Sequence, residues 1–188
     1  MCLTVILASS IPARSQTAPT PPKAIAVGDV APKFSLKDQN DASFTLDEMV
    51  KQGPVAMVFV RSVEWCTYCQ LQTIQLATNL KEIEANGGQV VIITYDAPEK
   101  IKRFAGRRKL QIPILSDADS KIIDAYAMRA VQLVSGDQIG SAQHGTFVID
   151  RQGLVRSKPY LKSFEDRTAI DTLAAALKEA GGTNPKLN

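Results

Sequence analysis

Six consecutive apolar residues, Val55-Ala56-Met57-Val58-Phe59-Val60, stand between Gly53-Pro54 and Arg61-Ser62. A strand with one wet face alternates apolar and polar positions, so this unbroken run predicts a central strand buried on both faces. Val90-Val91-Ile92-Ile93-Thr94-Tyr95 predicts a second one. Between them a helix starts near Cys66, with Cys69, Thr73, Leu76, Leu80 and Ile83 on one face at intervals of four and three, and ends at Gly87-Gly88. That spacing turns Cys69 toward the body of the protein.

The rest of the chain supplies the remaining layers. Phe34-Ser35-Leu36 and Ser43-Phe44-Thr45 flank the turn-prone Asp38-Gln39-Asn40-Asp41, which predicts a short hairpin. Thr45 and Glu48 have capping-box spacing for a short helix. Asp96 is expected to cap a helix with Pro98 in its first turn and Ile101 and Phe104 on its inner face. Residues 112–115 read as a short strand and 121–127 as a short helix. Residues 146–150 and 154–160 flank Arg151-Gln152-Gly153 as an antiparallel hairpin. Ser163 caps a last helix with Ile170, Leu173, Ala174 and Leu177 as its apolar stripe and Gly181-Gly182 at its end. Strand, helix, strand, hairpin, helix, with a cysteine pair opening the first long helix, is the order of a thioredoxin-like fold. The expected class is α/β, a central mixed β-sheet flanked by helices with an N-terminal β-hairpin extension, over residues 24–182.

The ends read differently. Leu3-Thr4-Val5-Ile6-Leu7-Ala8, followed by Ser9, Ser10 and Ala13 and a Ser/Thr/Pro-rich stretch to Pro22, resembles a signal peptide and linker over residues 1–23. No Lys or Arg precedes the apolar stretch, as in a truncated signal. Cleavage would remove Cys2, and the expected location is periplasmic or secreted. The alternative is the apolar tail of a cytoplasmic protein. Residues 183–188 are expected to be a disordered tail. A net charge of +3, from 22 basic and 19 acidic residues, gives no case for nucleic acid or an anionic membrane. No apolar run approaches the ~20 residues that cross a bilayer, so stable membrane insertion is not expected.

The chemistry lies in Trp65-Cys66-Thr67-Tyr68-Cys69. A free cysteine with a pKa of about 8.5 is mostly protonated at neutral pH, but amide N–H groups at a helix N-terminus stabilise its thiolate. Two cysteines separated by two residues can also close a disulfide within the first turn. Cys66, at the loop-to-helix junction, is assigned as the attacking sulfur and Cys69, one turn inward, as the resolving one. Zinc and iron–sulfur sites take about four ligands, whereas this chain offers one histidine and one further, remote cysteine, so no metal and no cofactor are expected. Burial as plain apolar cysteines is the remaining reading.

Phe59-Val60-Arg61-Ser62-Val63-Glu64-Trp65-Cys66-Thr67-Tyr68-Cys69-Gln70-Leu71-Gln72 and His144-Gly145-Thr146-Phe147-Val148-Ile149-Asp150-Arg151-Gln152-Gly153 resemble the redoxin group. These are the peroxiredoxin-like alkyl hydroperoxide reductase/thiol-specific antioxidant proteins of the thioredoxin-like superfamily. Val27-Gly28-Asp29-Val30-Ala31-Pro32-Lys33-Phe34-Ser35-Leu36 extends the resemblance to about residues 25–180. It implies a thioredoxin-like fold and an oxidoreductase of cell redox homeostasis. Its substrate would be a thiol/disulfide protein or a hydroperoxide, and a separate reductant protein would regenerate it. Peroxidases of the superfamily carry Pro-x-x-x-Thr-x-x-Cys. Ending that pattern on Cys69 places Ser62 at the proline and Cys66 at the threonine; ending it on Cys66 places Phe59 and Val63 there. The signature Trp-Cys-x-x-Cys is complete, which puts thiol–disulfide exchange first and hydroperoxide reduction as the alternative. A non-catalytic redox sensor and a metal-delivery protein are further readings.

Thioredoxin-like proteins usually carry a cis-proline where this chain has His144. A non-proline cis bond costs about 3 kcal/mol, so a trans or rearranged loop is expected there. His144, the only histidine, is a candidate for tuning the sulfurs or relaying their proton, against an ordinary loop residue. Further supporting candidates are Arg61 and Arg129 for a thiolate or peroxide oxygen, Glu64 as a proton acceptor, Trp65 as a cover, Ser62 and Thr146. The basic group Lys100, Lys102, Arg103, Arg107, Arg108 and Lys109 reads as a solvated helix face.

Overall fold

A computed structural model describes residues 23–130, 135–159 and 168–182. The leader-like segment, Cys2, Ser163 and the C-terminal tail lie outside them. In chain order the elements are β1 (Ser35–Lys37), β2 (Ser43–Thr45), α1 (Leu46–Gln52), β3 (Val55–Phe59), α2 (Thr67–Thr78), α3 (Leu80–Ala85) and β4 (Gln89–Thr94). There follow α4 (Pro98–Arg108), β5 (Ile114–Ser116), α5 (Lys121–Ala125), β6 (Gly145–Ile149), β7 (Val155–Ser157) and α6 (Thr168–Gly182). The capping box forms as expected: Thr45 Oγ1 accepts the Glu48 N–H at 3.3 Å, and α1 starts there.

Two local readings are corrected. The long helix divides at Asn79, because Thr78 Oγ1 donates back to the Ile74 carbonyl and Asn79 Nδ2 to that of Gln75. Consecutive polar side chains competing for helix carbonyls end α2 there. Asp96 does not cap α4: Ala97 holds that place without a side-chain bond, and the Asp96 carboxylate turns inward.

The seven strands form one mixed sheet in the order β2-β1-β5-β4-β3-β6-β7. β3 pairs parallel with β4 and antiparallel with β6, and the N-terminal hairpin joins the sheet through β5. The reading of β3 as doubly buried holds residue by residue. Ala56, Val58 and Val60 face one core with Cys69, Leu76, Ile101 and Leu177. Val55, Met57 and Phe59 face the other with Met49, Ile123, Tyr126 and Phe147. In that second layer the Phe59, Tyr126 and Phe147 rings pack with centroids 5.1–5.7 Å apart, and Tyr126 donates its hydroxyl to the Pro32 carbonyl. Both layers are anchored below the edge where the cysteine pair sits.

Candidate active site

β3 and β4 are parallel neighbours, so the segments that follow them emerge side by side at the same edge of the sheet. After β3 comes Ser62-Val63; after β4 comes Asp96, which is 3% exposed. The Asp96 carboxylate accepts the Ser62 hydroxyl at 2.8 Å, the Val63 N–H at 2.6 Å and the Thr94 hydroxyl at 2.9 Å. Ser62 Oγ in turn accepts the N–H groups of Glu64 and Trp65. This buried network holds the loop that delivers Cys66 to the start of α2. Ser62, a supporting candidate from the sequence, thus shapes the loop from beneath rather than facing solvent.

Cys66 is the N-cap of α2, and its Sγ accepts the Cys69 N–H at 3.4 Å. The amide and the helix dipole stabilise negative charge on that sulfur. Cys66 and Cys69 form a disulfide with a Cα–Cα distance of 5.2 Å. Cys66 is 9% exposed and Cys69 fully buried, so Cys66 is the less buried of the two.

The third member arrives from the other neighbour of β3. β6 is antiparallel to β3 with Gly145 opposite Phe59, so the residue before β6 lies where β3 ends. That residue is His144, and its Nε2 stands 3.3 Å from Cys69 Sγ. Its peptide is trans, as expected from the cost of a non-proline cis bond. The residue is exposed to solvent while its Nε2 meets the sulfur. Desolvation of the inner side, and then the charge of Arg61, holds the imidazole below its ordinary value of 6.5. Cys66, Cys69 and His144 place one sulfur, one sulfur and one nitrogen within 4.8 Å of one another.

Arg61 lies over the Trp65 ring, 4.8 Å from its centroid, and Trp65 Nε1 donates to the Tyr95 hydroxyl at 2.8 Å. Trp65, half-buried, is thereby held between Arg61 and Tyr95. Thr146 is buried on β6 opposite Val58. Two candidates are corrected. Glu64 pairs with Lys100 and Arg103 of α4, and the Lys100 ammonium holds its carboxyl below the ordinary range, so it is a poor proton acceptor. The same pairs occupy two of the six basic groups near α4. Arg129 directs Nε and Nη2 at the two carboxylate oxygens of Asp124, so its guanidinium is engaged by that counterion.

Asp96, Thr94 and Tyr95 were not singled out as site residues. Their only signal is position: polar residues closing an apolar run become neighbours of the cysteine loop once two runs are known to pair in parallel.

A dithiol/disulfide pair opening a helix at the edge of a mixed sheet defines the chain as a thioredoxin-like oxidoreductase. Residues 27–158 match the model of the AhpC/TSA family, and the protein belongs to that family. It is 30% identical over 128 residues to peroxiredoxin Bcp of Escherichia coli, covering 68% of this chain and 81% of that protein. It is 33% identical over 132 residues to alkyl hydroperoxide reductase E of Mycobacterium tuberculosis, covering 69% and 82%. Among solved structures, peroxidoxin BcpB of M. tuberculosis superposes with a TM-score of 0.67 at 24% identity, covering 82% of this chain and 97% of that one. A peroxiredoxin-like protein of Aquifex aeolicus gives 0.70 at 20% identity, covering 85% and 90%. These two likenesses establish the fold.

Proposed function

We propose that the protein is a two-cysteine thiol peroxidase that reduces hydroperoxides through Cys66 and Cys69. The observation that carries this reading is the pair itself: a sulfur at a helix N-terminus, bonded to a more deeply buried partner one turn on. Family membership and relatives named peroxiredoxin and alkyl hydroperoxide reductase favour peroxide over the disulfide substrate that the complete Trp-Cys-x-x-Cys had put first.

In the reduced protein the Cys66 thiolate attacks one peroxide oxygen. The O–O bond breaks, the departing oxygen leaves as water or alcohol after gaining a proton, and Cys66 becomes a sulfenic acid. The Cys69 thiol then attacks the Cys66 sulfur. His144 Nε2, beside the Cys69 sulfur, accepts its proton and returns it to the departing hydroxide, which leaves as water. The product is the Cys66–Cys69 disulfide, and an external dithiol protein reduces it by exchange. The leader-like residues 1–23 support a site of action outside the cytoplasm.

Two measurements follow. Hydroperoxide consumption with a thioredoxin-type reductant is expected to be faster than reduction of insulin disulfides by the same protein; the reverse order restores disulfide exchange as the main activity. His144→Ala is expected to slow disulfide closure roughly 100-fold while leaving the first oxidation step nearly unchanged. Trp65 is the only tryptophan and adjoins Cys66, so stopped-flow fluorescence reads the two steps without a label. Equal slowing of both steps would remove His144 from the proton transfer.

A further inference from the structure

We propose that, once reduced, Cys66, Cys69 and His144 form a three-ligand site for a thiophilic d10 cation, Zn²⁺ or Cu⁺, so that the same side chains alternate between a disulfide and a bound metal. The low ligand count that argued against a metal in the sequence is altered by the fold. The single histidine, 75 positions from Cys69, is delivered to the pair because β6 starts where β3 ends.

The distances suit a metal. With metal–sulfur bonds of about 2.3 Å and metal–nitrogen bonds of about 2.0 Å at tetrahedral angles, two sulfurs lie about 3.8 Å apart and sulfur and nitrogen about 3.5 Å apart. Cys69 Sγ and His144 Nε2 are already 3.3 Å apart, and the three donor atoms fall within 4.8 Å of one another. Reduction frees the two sulfurs to separate to that spacing by rotation about their Cα–Cβ bonds. The Asp96 network keeps the loop in place meanwhile.

The donor set selects the cation. Two thiolates and an imidazole suit Zn²⁺ and Cu⁺ rather than oxygen-seeking Mg²⁺ or Ca²⁺. Three protein ligands leave one position open for Zn²⁺ and complete a trigonal shell for Cu⁺. Binding replaces the two thiol protons, and His144 Nε2 supplies its lone pair beside the Cys69 sulfur. The assembled centre carries no net charge with Zn²⁺ and one negative charge with Cu⁺, which the neighbouring Arg61 guanidinium complements. Glu64 and Asp96 do not compete as ligands, since Lys100 and Arg103 hold the first and three donors the second. Metal and disulfide exclude each other: a peroxide that oxidises the pair removes both sulfur ligands.

The site goes beyond peroxide reduction and stands or falls separately from it. The test is anaerobic titration of the reduced and the oxidised protein with Zn²⁺ and with Cu⁺ against chromophoric chelators, with Co²⁺ as a spectroscopic probe. The expected result is one cation per reduced chain and none per oxidised chain, with intense sulfur-to-cobalt absorption in the Co²⁺ form. His144→Ala should weaken binding at least tenfold, and hydroperoxide should release the bound cation in step with disulfide formation. The oxidised protein, folded and unmutated, is the control for adventitious surface sites. Equal binding by reduced and oxidised protein would overturn the proposal, as would unchanged affinity in His144→Ala. Peroxidase turnover of the metal-free protein, measured on the same sample, reports on the enzymatic reading alone.

Discussion

Cys66→Ser is expected to abolish catalytic hydroperoxide consumption, leaving only the uncatalysed background. A serine hydroxyl at that place stays protonated at neutral pH, and the N-cap position that stabilises a thiolate does too little to ionise it. The helix is preserved, because serine is among the favoured N-cap residues and can accept the Cys69 N–H as the sulfur does. Loss of activity with the stability of the reduced parent protein is therefore the signature. Cys69→Ser should behave differently: one equivalent of hydroperoxide is consumed per chain, and the reaction then stops at the Cys66 sulfenic acid. Peroxide reduction in the presence of reductant checks both variants. Full turnover in Cys66→Ser would transfer the attacking role to Cys69.

Asp96→Ala is expected to destabilise the protein by about 3 kcal/mol, since it leaves the Val63 N–H and two hydroxyls without their buried acceptor. For a chain of this length that corresponds to a fall in Tm of roughly 6–12 °C. Activity should fall as well, by about 10- to 100-fold well below the transition, because the released Ser62–Trp65 loop no longer fixes the nucleophile. Asp96→Asn keeps one carbonyl acceptor but turns an N–H₂ toward donors, and should lie between. Calorimetry and initial rates measured together distinguish these effects from simple unfolding. A silent Asp96→Ala would mean the network does not position the loop.

The legible parts of this molecule are those whose cause is local. The continuous apolar run of β3, the Thr45–Glu48 cap and the stripe that turns Cys69 inward each depend on neighbours a few residues away, and each appears in the structure where expected. The division at Asn79 was masked because the apolar period continues across it, while the two side-chain bonds that end α2 leave no mark in hydrophobic spacing. Asp96 read as a helix cap because a carboxylate before Pro98 satisfies that pattern; the stronger donors, Ser62 and Val63, lie more than thirty positions away and reach it only through the β3–β4 pairing. His144 was marked by its departure from a family pattern, but its contact with Cys69 needs the antiparallel pairing of β3 with β6. Arg129 and Glu64 show the converse. Each is a candidate by its charge alone until the fold supplies it with a counterion.

Disulfide exchange and peroxide reduction use the same activated thiolate, and the peroxidase pattern is broken in either register, so the sequence alone does not separate them. The most direct test is to treat the reduced protein with one equivalent of hydroperoxide, quench it in acid and map the cysteines by mass spectrometry, with Cys69→Ser treated alike and trapped with a sulfenic-acid reagent. The account predicts an intramolecular Cys66–Cys69 disulfide in the parent protein and a trapped adduct on Cys66 in the variant. Both cysteines remaining as thiols in the parent, or an adduct absent from Cys66 in the variant, would contradict it.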